Sequence, residues 1–189
     1  DGVFDRAVEM ILEAKRLGYH VMTNTTVFKE TEVSEVKALC ELTRSLGVDG
    51  MLVAPGYHYE AVAHDIFLTR AEIHKKFKKI LGFSSHYRLT STPMYLEFAA
   101  GLRELPCSPW STVTYTPRGW KGPCYLIGER YTHSWKEFWD STDWAYWESR
   151  RDSRCQNCAM HSGFEASAVR ELRRNPKDLV RIAAWNLLG

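Results

Sequence analysis

The chain has 189 residues, which is enough for one large domain or two small ones, and its apolar content of 44% supports a proper hydrophobic core. Its formal net charge of +2 at pH 7 excludes a general electrostatic attraction to nucleic acid or to an anionic membrane. No run approaches about 18 consecutive apolar residues, so the sequence predicts no transmembrane helix.

The first part of the chain is predicted to alternate between helices and strands. Apolar residues recur at helical spacing over 4–17 and 33–46, and each stretch ends at a glycine. Between them, residues 19–28 are rich in β-branched and aromatic side chains, which predicts a strand of about five residues. The wholly apolar run at 51–54 predicts a second strand, of the kind that is buried in a parallel sheet. The two strands and the helix between them predict one βαβ unit.

A further helix, a short strand and another helix are predicted next. Thr69 and Glu72 have the spacing of a capping box, and a turn around residues 82–86 would separate their helix from a strand at 87–92. Thr92 then caps a helix whose first residue is a proline, as helix starts prefer. The apolar side chains of the first of these helices that we expect to face the core are Ile73, Phe77 and Ile80.

The pattern changes at Pro106, where proline, glycine, tryptophan and cysteine become frequent and clear periodicity is lost. Two short strands are predicted at 111–116 and 124–127, joined as a hairpin. The tail returns to helix, with Ser134 and Asn175 as predicted caps. We therefore place a domain boundary near residue 103.

Four of the five cysteines lie in this second region and predict a metal centre. Cys155 and Cys158 form a C-x-x-C motif, which places two thiolates on one tight turn, and Cys107 and Cys124 could complete a set of four ligands. The candidates are an iron–sulfur cluster and a structural zinc ion; disulfides and unrelated buried thiols are the alternatives. Disulfides are disfavoured because no signal peptide is visible. Cys40 lies in a helical pattern and is interpreted as a small buried hydrophobe.

Ligands of parallel α/β sheets and barrels bind at the carboxyl ends of the strands, which indicates three loops here. The loop at 23–26 offers an amide and hydroxyls suited to a carboxylate, an amine or ribose hydroxyls. The loop at 55–60 allows close backbone approach at Gly56 and has aromatic side chains to flank a ring; the third loop is 90–92. The alternatives are that the first loop caps the next helix and that His58 is a surface histidine.

The sequence contains no phosphate-binding loop, no dinucleotide-binding glycine fingerprint and no G-x-S-x-G elbow, and we assign no catalytic residue. His161 follows Cys158 by three residues and could replace a thiolate in a zinc set. The alternative is that this histidine is exposed, or bonded to the backbone, at the start of a helix.

The order of these parts resembles a radical S-adenosylmethionine (SAM) enzyme that is followed by a twitch- or SPASM-like extension for an auxiliary cluster. More specifically, five segments are similar to the adenosyl-hopene transferase family, and together they cover nearly the whole chain. They are GVFDRAVEMILEAKRLGYHVMTNTTVF, LGVDGMLVAPGYHYE, CSPWSTVTYTPRGWKGPCYL, TDWAYW and CQNCAMHSGFEASAV. The resemblance implies an α/β fold. Residues 1–103 would be the C-terminal portion of a (β/α) partial TIM-type barrel, and residues 104–189 a cysteine-rich α+β extension with C-terminal helices.

The resemblance also implies a chemistry. Family members use a [4Fe–4S] cluster to cleave SAM to a 5′-deoxyadenosyl radical, which adds to the alkene of a hopene in bacterial hopanoid biosynthesis. The implied partners are a hopene-like lipid substrate and an electron donor such as flavodoxin or ferredoxin, with no nucleic acid. The implied location is the cytoplasm, peripheral to the inner membrane.

Site residues follow from the same resemblance. Asn24, Thr25 and Thr26 would line the SAM site, and the loop from Pro55 to Tyr59 would lie near the adenine or the substrate. The residues that we expect at the cofactor are Asn24, Thr25, Thr26, Pro55, Gly56 and Tyr57. An auxiliary [4Fe–4S] cluster would be held by Cys107, Cys124, Cys155 and Cys158.

Two departures from the family pattern matter. The C-x3-C-x2-C motif that binds the primary cluster is absent from these residues, and the chain starts at Asp1 without methionine. We therefore expect the rear part of a longer protein, with the primary cluster bound upstream and no turnover by this chain alone. The family leads us to expect a cysteine where Ser162 stands, which suggests a paralogue with another substrate. The alternatives are a non-catalytic α/β module with a structural zinc site and a metal-free fragment.

Overall fold

The computed structural model describes residues 2–58 and 62–188, and these residues form a mixed α/β fold, as expected. The α-helices are α1 (Val3–Arg16), α2 (Val33–Ser45), α3 (Arg70–Ser84), α4 (Pro93–Ala99), α5 (Trp135–Asp140), α6 (Trp144–Glu148), α7 (His161–Glu171) and α8 (Pro176–Leu188). The strands are β1 (Met22–Val27), β2 (Gly50–Pro55), β3 (Thr114–Thr116), β4 (Gly119–Pro123) and β5 (Gly128–Thr132); short 3-10 helices lie at Pro109–Thr112 and Ser153–Cys155. Within these ranges, no helix has the length and apolar character needed to span a membrane.

Strands β1 and β2 pair in parallel, in a continuous register from Met22 opposite Gly50 to Val27 opposite Pro55. This arrangement confirms the predicted βαβ unit. The third strand predicted at 87–92 was too long, because only Leu89 bridges to the sheet, opposite Met51. The indole of Trp185 donates to the Leu89 carbonyl at 3.1 Å, and α4 begins four residues later, so the chain leaves the sheet at once.

Both predicted helices around β1 are confirmed, but they are covered very differently. Helix α1 has no buried residue, and Phe4 and Leu17 on its predicted apolar face are 59% and 56% exposed. Helix α2 buries Val36 and Cys40, and the Cys40 sulfur lies 3.7 Å from the sulfur of Met51. Burial, and then the nearby charge of Glu41, raises the pKa of Cys40 to about 11. Cys40 is therefore the small buried hydrophobe that the helical pattern indicates.

Helix α3 begins as predicted, with reciprocal hydrogen bonds between Thr69 and Glu72. The three apolar residues expected to face inward are fully buried: Ile73, Phe77 and Ile80. The turn predicted at 82–86 was placed too early, since the helix continues to Ser84. The Thr92 hydroxyl accepts from the amide of Tyr95 at 3.2 Å and caps α4, as predicted.

Strands β3, β4 and β5 form an antiparallel sheet in that order. The prediction of a strand at 124–127 is wrong: this segment is the loop between β4 and β5, and the partner of β3 is Gly119–Pro123. Strand β4 contains two glycines and a proline, which have low strand propensity. Pairing on both sides, with 114–116 and with 128–132, overrides this local preference. The expected cap of α5 is confirmed, as the Ser134 hydroxyl accepts from the amide of Glu137.

The main hydrophobic core contains residues from both sides of position 103. The Tyr95 hydroxyl on α4 donates to the carbonyl of Ala159 at 2.9 Å, far along the chain. Arg103 donates to both carboxylate oxygens of Asp178, at 2.7 and 3.0 Å, and so holds α8 against the end of α4. The boundary near residue 103 stays a prediction, and it falls between regions that share one cluster of apolar side chains.

Candidate metal centre

All four cysteines of the second region line a single cavity of about 300 Å³. Cys107 precedes the first 3-10 helix, Cys124 follows β4, and Cys155 and Cys158 lie in the turn before α7. Each of them is a free thiol, as is Cys40. The fold therefore brings together the four side chains that the sequence predicts as metal ligands.

Hydrogen bonds to the backbone shape the C-Q-N-C turn. The amide of Cys158 donates to the carbonyl of Cys155 at 3.1 Å, which closes the turn. The amide of Arg70, at the start of α3, donates to the Asn157 side chain at 2.9 Å. The Arg70 guanidinium donates to the carbonyl of Cys158, also at 2.9 Å. The turn is thus fastened to a helix whose sequence position is nearly ninety residues earlier.

Cys107 is held against the start of α7. The amide of Ser108 donates to the carbonyl of Gly163 at 3.0 Å, and the Ser111 hydroxyl donates to the carbonyl of Ser162 at 3.0 Å. A Cβ atom at Gly163 would lie 3.4 Å from the Cys107 sulfur, which is a tight contact. Glycine at this position therefore lets the thiol approach the helix backbone.

Cys124 lies at the start of the loop that the sequence had predicted as a strand. The backbone N–H groups of Leu126 and Ile127 hydrogen-bond with its thiol, and the N–H of Met160 does so with Cys158. Amide donors of this kind stabilise sulfur in its anionic form and tune the potential of iron–sulfur clusters. In this loop the amides of Leu126 and Ile127 therefore hydrogen-bond with the Cys124 thiol and do not pair with a neighbouring strand.

The thiols are protonated at neutral pH in the absence of a metal. Burial raises the pKa of Cys107 well above the usual range, raises the pKa of Cys158, and raises the pKa of Cys155 to about 12. The other cysteines add to the shift of Cys107 and Cys155, because several thiolates would repel one another in one cavity. A metal bound to these thiols would have to displace the protons, so its binding would release them.

The arrangement of the thiols can be compared with the needs of each candidate group. Within residues 2–58 and 62–188, no group of three or more His, Cys, Asp or Glu side chains is arranged so that it could hold a metal ion. A zinc ion requires all its sulfur ligands at about 2.3 Å, whereas a cluster distributes its thiolates over several iron atoms. The cavity has the volume of about ten water molecules. Four thiolates suit both groups, and it is their arrangement, which does not suit a single ion, that favours a cluster.

A second cavity, of about 320 Å³, lies at the carboxyl ends of β1 and β2. It is lined by five of the six residues expected at the cofactor: Asn24, Thr26, Pro55, Gly56 and Tyr57. Thr25 is the exception, because successive side chains of a strand point to opposite faces of the sheet. Strand alternation thus separates Thr25 from its two neighbours, a distinction that the sequence prediction did not make.

Several other predicted residues lie elsewhere. His58 lines the cysteine cavity, with its ring 5.2 Å from that of Phe67. The loop at 90–92 lines neither cavity; the amide and hydroxyl of Thr92 donate to Glu165. Tyr59 and Glu60 fall outside the described residues.

His161 does not join the cysteines. It lines the second cavity, together with Ser162. Its Nε2 lies 3.1 Å from a carboxylate oxygen of Glu165 without the alignment of a hydrogen bond. Its ring meets that of Tyr95 edge-on at 4.8 Å. The idea that His161 replaces a thiolate in a zinc set therefore has no support from its position.

The two cavities are neighbours that share wall residues. Gly56, Tyr57, Phe67 and Met160 contribute to both. The Tyr125 hydroxyl, next to Cys124 in sequence, donates to the Tyr57 hydroxyl, and the two rings meet edge-on at 5.7 Å. The cysteine cavity and the cavity at the strand ends thus form one continuous region of the molecule.

A comparison with protein families bears on this region. The family model described as a domain of unknown function, DUF3463, matches residues 51–182, which is more than half of the chain. The chain belongs to this family. No curated protein and no solved structure matches it. The DUF3463 match contains all of β2 except Gly50, and all four cysteines of the cavity, whereas β1, with Asn24 and Thr26, precedes it.

Three arginines at the cysteine cavity carry no signal in the sequence. Arg150 and Arg154 line the cysteine cavity, and Arg70 touches its C-Q-N-C turn. Arg150 is marked by a left-handed backbone with φ of 55°, which a non-glycine residue rarely adopts. No sequence periodicity identifies these residues, because Arg70 begins α3, Arg150 lies in the connection after α6, and Arg154 lies in the short second 3-10 helix.

Proposed function

We propose that this chain is the rear portion of a radical SAM enzyme, with an auxiliary [4Fe–4S] cluster held by Cys107, Cys124, Cys155 and Cys158. The observation that supports the proposal most is the convergence of these four cysteines, from three separate segments, on one cavity. That cavity shares walls with a second one at the strand ends, where a parallel α/β sheet binds its ligands. The resemblance to adenosyl-hopene transferases adds a (β/α) barrel and a twitch- or SPASM-like extension to the proposal.

Each part of the chain has a role in this proposal. When bound together, SAM and its cluster supply a carbon radical through one-electron cleavage of SAM. Asn24 and Thr26 would bind polar groups of the cofactor, and the backbone at Gly56 would approach its adenine. A Cβ at Gly56 would lie 2.5 Å from the ring of Phe28, so glycine allows this ring to pack against the backbone at the cavity wall.

The lining of the second cavity supports an apolar substrate. Most of its wall is hydrocarbon, contributed by Phe28, Leu52, Ala54, Pro55, Val62, Ile66, Phe67 and Met160. An apolar wall binds the rings of a polycyclic lipid by excluding water, and it protects a reactive radical from side reactions. A hopene-type lipid or a related polycyclic substrate is the class that fits this surface.

SAM binding to the anaerobically iron-loaded chain tests the cofactor assignment, with isothermal titration calorimetry as the measurement. Asn24→Ala and Thr26→Ala each remove a polar group that faces the cavity, and each should weaken binding about tenfold. Thr25→Ala is the matched control, since it changes the opposite face of the same strand and should leave the affinity within about twofold. A loss of affinity in Thr25→Ala equal to that in Asn24→Ala and Thr26→Ala would contradict the assignment.

A non-catalytic module with structural zinc is the alternative function. Four cysteine thiolates are also a common ligand set of structural zinc ions, and this supports the alternative. Metal analysis of the purified chain distinguishes the two. Iron with sulfide supports the enzyme, and one zinc per chain supports the structural module.

A further inference from the structure

Two arginines lie beside the cysteine cavity and share an aromatic platform. The platform is the stacked pair Phe98 and Phe164, whose ring centroids are 4.2 Å apart. The guanidinium carbon of Arg70 lies 4.9 Å from the centroid of Phe98, and that of Arg150 lies 5.4 Å from the centroid of Phe164. Arg70 also donates to the carbonyl of Cys158, and Arg150 lines the cavity itself. The pair therefore brings two positive charges to the cysteines.

These two charges have little compensation from carboxylates. Among the described residues, no carboxylate lies within ion-pair distance of Arg70. The partner of Arg150 is Glu104, at 3.4 Å, whose side chain is 82% exposed to solvent. Arg154, at the same cavity, differs because it pairs with both Asp152 and Glu129. Arg70 and Arg150 thus form a half-buried cationic pair, which is costly unless an anion lies nearby.

The backbone conformation of Arg150 is also energetically unfavourable. Its φ of 55° lies in the left-handed region, which is unfavourable for a residue with a side chain. Residues held in such conformations occur where the surrounding structure needs a particular side-chain position. At Arg150 this strained backbone belongs to a residue that lines the cavity of the four cysteines.

An iron–sulfur cluster with four thiolates supplies the missing anion. We propose that Arg70 and Arg150 are the counter-ions of the anionic cysteine site and raise the reduction potential of the cluster it holds. The inference rests on the proposed function. In the couple concerned, one electron passes from an external low-potential donor of the flavodoxin or ferredoxin type to the cluster, and no bond breaks. Reduction adds negative charge, so nearby cations favour the reduced form.

The test is a redox titration of the anaerobically reconstituted chain, followed by electron paramagnetic resonance. Arg70→Gln and Arg150→Gln remove one charge each and should lower the midpoint potential. At a fixed potential we expect the ratio of reduced to oxidised cluster to fall about tenfold in each, which corresponds to 59 mV for one electron. Arg151→Gln is the matched control, because Arg151 follows Arg150 in the chain, is exposed, and has its guanidinium over the ring of Tyr146. In this variant the ratio of reduced to oxidised cluster should stay within about twofold of the wild type.

Arg70→Lys separates charge from structure. It keeps the positive charge and loses the planar guanidinium, so it should retain most of the wild-type potential. If Arg70→Gln does not fold, Arg150→Gln and Arg70→Lys decide the question. Iron-loaded variants with unchanged potentials would overturn this inference and leave the proposed function standing. A wild-type chain that takes up no iron would overturn the proposed function and this inference with it.

Discussion

The rings of Phe98 on α4 and Phe164 on α7 stack in parallel, with centroids 4.2 Å apart and planes inclined by 24°. Both side chains are almost completely buried, at 1% and 0% exposure. Phe98 lies before the predicted boundary near residue 103, and Phe164 lies well after it. The stack therefore couples the region of the parallel sheet to the region of the cysteines.

This coupling predicts that the two regions unfold together. Phe164→Ala should lower the free energy of unfolding by about 3–5 kcal/mol, since it removes a buried ring and leaves a cavity. Urea denaturation followed by circular dichroism and tryptophan fluorescence measures the change, and the two signals should shift together. Val169→Ala is the control on the same helix, because Val169 is 54% exposed, and its effect should stay within about 0.5 kcal/mol. Separate transitions for the two signals would contradict the shared core.

The start of β2 predicts a pH dependence of stability. The carboxylate of Asp49 accepts hydrogen bonds from Lys15 at 2.6 Å and from the amide of Val21 at 2.7 Å. These donors, the Lys15 ammonium first, lower the pKa of Asp49 to about 2. Since the pKa is about 3.9 in the unfolded chain, the interaction stabilises the fold fully above that pH and is lost as the pH falls toward 2.

The substitution Asp49→Asn isolates this contribution. Its destabilising effect should be largest above pH 4 and should shrink as the pH decreases from about 4 to about 2. Urea midpoints of both proteins across this range give the measurement. Asp5→Asn, a change of an exposed aspartate on α1, provides the control. A penalty in Asp49→Asn that does not depend on pH would show that the ionised carboxylate plays no part.

Two glycines with opposite environments give a paired prediction. Gly119 has φ of +113°, and a Cβ there would lie 2.3 Å from the carbonyl oxygen of Thr132 on the paired strand. Gly119→Ala should destabilise the chain by about 2 kcal/mol or more. Gly82 lies inside α3, and a Cβ added there would meet no atom within 4 Å apart from its own helix backbone and chain neighbours. Gly82→Ala should therefore raise the free energy of unfolding by about 0.5–1 kcal/mol. Thermal unfolding of both variants checks the sign, and equal signs would refute the prediction.

Local signals in the sequence predicted the structure correctly where a short segment determines its own conformation. The capping box at Thr69 and Glu72 and the proline after Thr92 identified two helix starts correctly, because the donors and acceptors lie within four residues. The apolar run at 51–54 identified a buried strand from its composition, and the structure pairs it in parallel with β1. The spacing of the four cysteines indicated that they belong to one site, and the structure places them around one cavity, while their role as metal ligands stays a prediction.

Other features depend on contacts between distant segments. The position of strand β4 was predicted wrongly because its glycines and proline have low strand propensity. The segment forms a strand because it pairs with β3 on one edge and with β5 on the other. Strand alternation separates Thr25 from Asn24 and Thr26, but which of the two faces lines the cavity depends on distant segments that form its other walls. The bond from Arg70 to Cys158 joins residues that are 88 positions apart, so no motif could reveal it.

The central claim is that four cysteines hold one iron–sulfur cluster. The most direct measurement is the iron and sulfide content, with the absorption spectrum, of the chain after anaerobic reconstitution. The account predicts about four irons per chain and a brown charge-transfer absorption in the wild type. Serine at any one of Cys107, Cys124, Cys155 or Cys158 should reduce both, and Cys40→Ser should load like the wild type. One zinc per chain without charge-transfer absorption, or iron loading that is indifferent to all four substitutions, would contradict the claim.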